Sequence, residues 1–358
     1  MGDGREHLVS LIRPTRRSGD ADLRVLFVTN MWPEPERAWY GTFIQTQAES
    51  LERVGIDVDV LYVRGYLTGN AYPKAIARMA SLSRSKRWDL VHAHYGHSGV
   101  VARADVRHPL VVSYCGDDLL GTPTPTNRAT LRSRAEVALF RRLAHVASAT
   151  ITKSEAMEAV LPRSCVERNH VIPNGVDVDR FRPIPRDEAR RRLGWPDDEQ
   201  VVLFAGNPEI PRKNYPLAAA ACESLSNGGA SPSLRVAWGI PPDAMPIWMS
   251  AADALLLTSL SEGSPNVVKE ALACELPVVA TPVGDVPERL RAVSGCHVAR
   301  PEIGELGSAL SHALEHGRAE EARQAVSALT LDRVAARVRA VYEEVLARRT
   351  RALRWRRA

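Results

Sequence analysis

The feature that most constrains this chain is a rhythm. Short apolar runs alternate with helix-period segments, and the alternation breaks once and restarts. Residues 23–30 (LRVLFVTN) form a continuous apolar run ending in polar residues. Such a run suits a strand buried on both faces, as in a parallel sheet. Phe43, Ile44, Gln47, Ala48, Leu51 and Val54 then recur at helical spacing, and Gly55 closes that pattern. Further strand patterns fall at 57–63, 89–95, 110–114, 148–152 and 170–173, with helical segments between them, clearest at 130–145. Strand and helix alternating in this way predict βαβ units in an α/β fold.

The break comes at 174–186 (NGVDVDRFRPIPR), where Asn-Gly and closely spaced prolines make a turn-rich connection. The rhythm resumes at 201–206, 234–239, 252–259 and 277–281, with helices near 215–226, 265–275 and from Glu302. The predicted organisation is a mobile lead-in over 1–22, an α/β domain over 23–180, a second over 181–330, and a terminal segment over 331–358. Leu331, Val334, Val338, Val341, Tyr342 and Val345 lie on one stripe of a helix at 331–346, long enough to return to the first domain.

Composition supports two folded domains and removes several alternatives. With 45% hydrophobic and 25% charged residues, the 358-residue chain is not disordered as a whole. Its apolar runs are all far too short to span a bilayer, and the opening residues do not read as a signal peptide. The five cysteines are scattered without metal-ligand spacing, which fits reduced thiols and a cytoplasmic protein. The net charge of +5 invites a nucleic-acid reading, but residues 348–358 hold six arginines and no acid, so residues 1–347 sum to 5 − 6 = −1. A near-neutral body without a recognisable binding motif argues against nucleic acid. The tail, with Leu353 and Trp355 among its arginines, fits contact with an anionic membrane surface.

Three segments carry chemistry. In 258–288, Ser264 reads as a helix N-cap and Pro265 as the first helical residue. The amides of Asn266 and Val267 are then free to meet an anion, as helix N-termini after strands do. Glu270 lies one turn further on the same face, roughly 6 Å along the axis, about the distance from a diphosphate to a ribose diol. Glu262 precedes the helix and faces the other end of such a ligand. In 205–216 (AGNPEIPRKNYP), Arg212 and Lys213 follow a strand, where two cations neutralise a diphosphate leaving group. In 30–49, Gly41 stands where a loop turns into a helix and lets backbone approach a ligand.

With these residues in view, the chain resembles the retaining glycosyltransferases of family 4, which have the two-domain GT-B fold. The resemblance runs from Leu23 to about Leu346 and rests on YGTF around Gly41, VHAHYG (91–96), ITKSEAM (151–157), VIPNGVDVDRF (171–181), PRKN (211–214), the Glu262-x7-Glu270 pair and PVVATPVGDVPE (277–288). It implies two Rossmann-like domains facing a cleft, a nucleotide-sugar donor, and no catalytic metal or other cofactor. Arg212, Lys213, Glu262 and His94 would then surround the reacting centre. Glu270, Asn266, Val267, Ser264, Pro265, Gly263, Gly41 and Gly206 would hold the donor. His92, Cys115, Asp117 and Asn174 would face the acceptor, a carbohydrate, lipid-linked or small natural-product hydroxyl. UDP- or GDP-sugars are the expected donors.

The sequence departs from the family at two places. Cys115 stands where many members carry a histidine, and a thiol is a weak substitute for imidazole; His92 and His94, which share a strand face, are candidates for that role. Only residues 240–250 separate two strand patterns where relatives insert more chain, and Trp238 beside them reads as a core residue. Two other enzyme classes occur on this two-domain fold. The Glu262/Glu270 pair argues against a nucleotide-sugar epimerase, and a glycogen-type phosphorylase needs a pyridoxal-phosphate lysine and far more chain.

Overall fold

The computed structural model describes residues 8–13, 21–85, 88–122, 130–225 and 232–355. Two sheets organise it. The first has seven strands: β1 (Val9–Ile12), β2 (Leu23–Thr29), β3 (Ile56–Val63), β4 (Leu90–His94), β5 (Leu110–Ser113), β6 (Ala149–Thr152) and β7 (Asn169–Val171), in the order β1-β3-β2-β4-β5-β6-β7. All its pairings are parallel except β1 with β3. The second has five strands: β8 (Val201–Phe204), β9 (Ser233–Val236), β10 (Ala254–Leu257), β11 (Val278–Ala280) and β12 (His297–Val298), in the order β12-β11-β10-β8-β9, parallel throughout.

The central strands are apolar on both faces because helices cover both. Val25 and Phe27 of β2 belong to one layer of the first core and Leu26 and Val28 to the other. The second domain repeats the arrangement: Val201 and Leu203 lie in one layer and Val202 and Phe204 in the other. This is why continuous hydrophobic runs, rather than alternating ones, mark these strands.

The lead-in corrects the sequence reading. Val9–Ile12 is ordered as an antiparallel edge strand against β3, and Arg13 Nε donates to Asp59 at 3.0 Å. Four residues among polar and basic neighbours carry too little periodicity to announce a strand. Residues 1–7 and 14–20 lie outside the described residues. Within the turn-rich connection at 174–186, Val176 and Phe181 already pack in the second domain's core.

The last helix, Leu331–Trp355, leaves the second domain and packs on the first. Val334, Ala335, Val338, Val341, Tyr342 and Val345 join the layer formed by β2, β3 and helix Thr42–Arg53. It runs nine residues past its expected end at 346. A buried polar contact ties it to the sheet: Tyr342 Oη lies 2.6 Å from His92 Nδ1, and His92 Nε2 lies 2.8 Å from Ser113 Oγ. Tyr342→Phe should leave a buried imidazole nitrogen unpaired and cost about 1–3 kcal/mol. Urea unfolding checks this, and a midpoint equal to wild type would show that the docked helix does not depend on that bond.

Candidate functional site

The carboxyl ends of both sheets face a shared cleft, where loops after β2, β4, β5, β8 and β10 converge. Crevices at the carboxyl ends of parallel strands are the usual ligand sites of such sheets. Two cavities open along it. One, of about 640 Å³, lies between the tyrosine-bearing loops of the first domain and Arg212, Glu262 and Gly263 of the second. The other, of about 190 Å³, lies between Trp39, Thr42 and Thr46 on one side and Arg180, Asn266 and Glu270 on the other. Phe43 lines both. The start of helix Thr42–Arg53 therefore stands where the cavities meet, with Asn266, the start of helix Asn266–Ala273, across from it.

Charge in the larger cavity is concentrated in one cluster. Glu262 Oε1 lies 2.7 Å from Lys213 Nζ and 2.8 Å from Arg212 Nη1, and it accepts from Ser259 Oγ at 2.9 Å. Arg212 Nε reaches across the cleft to Asp117 Oδ1 at 3.4 Å. Burial alone would push Glu262 up, but Lys213 and Arg212 hold it below the usual carboxylate value, so it stays ionised. Burial moves Asp117 the other way, up, against the pull of Arg212. Lys213 is aimed by packing: its stem lies over Gly206, where an added Cβ would sit 3.6 Å from Cδ and Cε.

Glu270 lines the smaller cavity, half-buried, and burial pushes its carboxyl up to about 7 against the attraction of Lys269 and Arg180. The helix that carries it begins differently from the expected cap. Asn266 is its first residue and Pro265 its cap position, with no side-chain cap. The Ser264 hydroxyl instead donates to Asp285 Oδ2 at 2.9 Å and accepts from Lys269 Nζ at 3.1 Å. Lys269 also donates to the Asn174 carbonyl at 3.0 Å, and burial pulls it down to about 8. Asn174 Nδ2 donates to Asn266 Oδ1 at 3.3 Å. The interdomain connection is thus tied to the helix start, leaving the amides of Asn266 and Val267 without backbone acceptors.

The domains meet glycine to glycine. Gly116, at φ +146, would place a Cβ 3.5 Å from the Gly263 nitrogen, and a Cβ on Gly263 would meet the Cys115 carbonyl at 3.0 Å and Met157 Sδ at 2.8 Å. Gly41, at φ +79, is required for a different reason than expected. Its missing Cβ makes room for the chain's own Met31–Trp32 backbone, as close as 2.5 Å, rather than for a ligand.

The histidines are where the sequence reading fails. His92 and His94 share a strand face, but that face is buried inside the first domain, 0% and 1% exposed, against Phe27 and the last helix. Burial lowers both well below the ordinary histidine value, so both are neutral, and neither is among the residues lining these two cavities. His94 Nε2 has no partner among the described residues. Cys115 does line the cleft, but burial pushes its thiol up to about 12, which leaves it protonated and non-nucleophilic. Asp118, next to Asp117, is structural: it accepts from the amides of Gly96, Cys115 and Gly116.

Several cleft residues were not legible from the sequence. Tyr95 holds a positive φ of 80, unusual for a side chain of its size, and turns its ring into the larger cavity; its hydroxyl has no hydrogen-bond partner among the described residues. Tyr72 and His97 stand beside it, the His97 ring nearly parallel to Tyr95 at 5.9 Å. Trp238, expected in the core, is 39% exposed and packs on Trp39 across the cleft at 4.2 Å. Among the described residues no group of three or more His, Cys, Asp or Glu is placed to hold a metal ion, and no helix is long and apolar enough to cross a membrane.

Two sheets, a crossover helix and a cleft with diphosphate-compatible cations define a GT-B architecture. Solved structures with that fold agree: sucrose-phosphate synthase from Thermosynechococcus elongatus aligns with a TM-score of 0.76 at 19% identity, over 90% of this chain and 99% of that one. Anabaena HepE, solved with UDP and glucose, aligns at 0.66 and 19% identity, over 90% and 100%. Residues 7–180 match the model of Glycosyltransferase Family 4 and residues 196–316 that of Glycosyl transferases group 1. The chain is therefore a glycosyltransferase, built from a family 4 domain followed by a group 1 domain. It is 24% identical to a Bacillus subtilis protein described as a teichuronic acid biosynthesis glycosyltransferase, over 74% of this chain and 82% of that one. It is 29% identical to the D-inositol 3-phosphate glycosyltransferase of Mycobacterium tuberculosis over 68% of its own length, spanning 58% of that relative.

Proposed function

We propose that this glycosyltransferase is a retaining hexosyltransferase that takes a UDP- or GDP-sugar as donor and needs no metal. The observation that carries the reading is the placement of Glu262, Arg212 and Lys213 on one side of the Asn266 helix start and Glu270 on the other. The nucleoside occupies the smaller cavity, with Glu270 accepting from the ribose hydroxyls. The diphosphate sits between the two helix starts, where free amides and the cations meet it. The sugar and the acceptor share the larger cavity. That HepE was solved with UDP and glucose supports a donor of this class.

The chemistry asks little of a nucleophile. As the anomeric C–O bond lengthens, negative charge collects on the departing diphosphate, and Arg212 and Lys213 stabilise it there. The acceptor hydroxyl attacks from the same face, and its proton passes to the leaving diphosphate oxygen, which preserves the anomeric configuration. Cys115, protonated, and His94, buried, play no part in that step. The acceptor is a carbohydrate, a lipid-linked intermediate or a small natural product.

The basic terminus fits peripheral contact with anionic membrane. Trp355 is 88% exposed and Leu353 49%, in a helical stretch with four arginines and no acid from Arg348 to Trp355. Vesicles containing phosphatidylglycerol should sediment the full chain and not a chain ending at Ala347; equal binding by both would remove the terminus from the reading.

Two predictions address the site. Glu270→Ala and Lys213→Ala should each reduce transfer by at least about a hundredfold with the melting temperature nearly unchanged, and wild-type turnover in either would defeat the assignment. Donor affinity should also depend on pH through Glu270. The ribose needs the carboxylate, the carboxyl gains its proton as pH falls through about 7, and a nucleotide-sugar diphosphate is a diester that does not titrate there. UDP-glucose or GDP-mannose, whichever binds, should therefore weaken by about tenfold per unit below that point. Calorimetry with Glu270→Gln, which should flatten the slope, is the check.

A further inference from the structure

Arg212 has partners on both sides of the cleft, and they differ in kind. Glu262 belongs to the same domain, holds Arg212 at 2.8 Å, and is itself fixed by Lys213 and Ser259. Asp117 belongs to the other domain, meets Arg212 at the longer distance of 3.4 Å, and makes no other side-chain hydrogen bond or ion pair among the described residues. The loop does not need that carboxylate for its shape, because Asp118 already ties the amides of Gly96, Cys115 and Gly116. Half-buried carboxylates with a single long ion pair are costly to keep charged. This one also stands in the cavity that Arg212 and Glu262 line.

We propose that Asp117 and the donor's diphosphate are alternative partners for the Arg212 guanidinium, so that Asp117 weakens diphosphate binding and speeds discharge of the nucleotide product. The inference rests on the reading that Arg212 and Lys213 take the diphosphate. Two cations and two carboxylates give this cluster a formal sum of zero, which is a poor resting field for a multiply charged anion. A diphosphate that engages Arg212 does so against the Asp117 charge. When the sugar has left, the same charge competes for the guanidinium and favours release. Asp117 reaches Arg212 only because Gly116 and Gly263 let the two loops touch, so the exchange is coupled to how closely the domains approach.

Calorimetric titration of inorganic pyrophosphate and of UDP into wild type, Asp117→Asn, Arg212→Ala and the double variant tests this. Asp117→Asn should bind both anions more tightly, by on the order of tenfold for one partly screened charge pair removed at close range. The double variant should show no such gain over Arg212→Ala, because the two residues act on one another. UDP should dissociate more slowly from Asp117→Asn in stopped flow. Unchanged or weaker binding by Asp117→Asn, with binding still lost in Arg212→Ala, would overturn the proposal and leave the site reading standing. Wild-type affinity in Arg212→Ala, or no binding by any of the four, would overturn both. A loosened fold cannot mimic the expected result, because it would not raise affinity.

Discussion

Glu262 lies against two cations in a site walled by protein, and much of the cleft follows from that contact. Arg212, Lys213 and Glu262 are each less than one-fifth exposed, so none is well hydrated. An unpaired Glu262 there would be driven toward its neutral form, and unpaired cations would carry a desolvation cost with no return. Together they remain charged. The cluster keeps two cations ready near a helix N-terminus without an open field that would collect any passing anion. With Asp117 across the cleft its formal sum is zero, and on the proposed reading that favours ligands bringing several interactions at once: ribose hydroxyls, phosphates and a sugar, each met by a different element.

Glu270 solves a different problem. Among the described residues it has no basic partner within hydrogen-bond distance, and burial raises it to about 7. A carboxylate that is poorly stabilised by its own protein has more to gain from hydroxyl donors. The two glutamates are eight residues apart, yet one is held charged by Arg212 and Lys213 and the other is left wanting partners. On the proposed reading, that contrast separates a group that organises charge from one that would recognise a neutral diol.

Much of this was readable in the sequence, and the exceptions share a cause. Runs such as LRVLFVT and ADALLLT declared parallel strands because burial on both faces leaves no polar alternation to read. Glu262, Glu270, Arg212 and Lys213 were legible because a strand–loop–helix junction fixes where they must point. The errors concern faces. His92 and His94 do alternate onto one face of β4, but sequence period says only that the face is shared, not that the last helix covers it. Ser264 has the right type and place for a cap, yet Asp285, twenty-one residues on, supplies a stronger acceptor for its hydroxyl. Tyr95, Trp39 and Lys269 escaped notice because their roles depend on contacts across the chain that no local pattern records.

Cys115 shows how such long-range context bears on chemistry. A resemblance places a histidine there in many relatives, and one reading moves that role to His92 or His94. The geometry speaks against the transfer: both rings are buried, His92 held by Tyr342 and Ser113 and His94 packed on Phe27. What occupies the cleft beside Cys115 is Tyr95, on a backbone that a tyrosine adopts only at a cost. Its hydroxyl can both donate and accept, as a neutral imidazole can. A strained residue that puts such a group next to Asp117 and Arg212 is therefore better placed than either buried histidine to orient a sugar hydroxyl. A dual donor–acceptor on that wall need not be a histidine, and the turn after β4 places Tyr95 there.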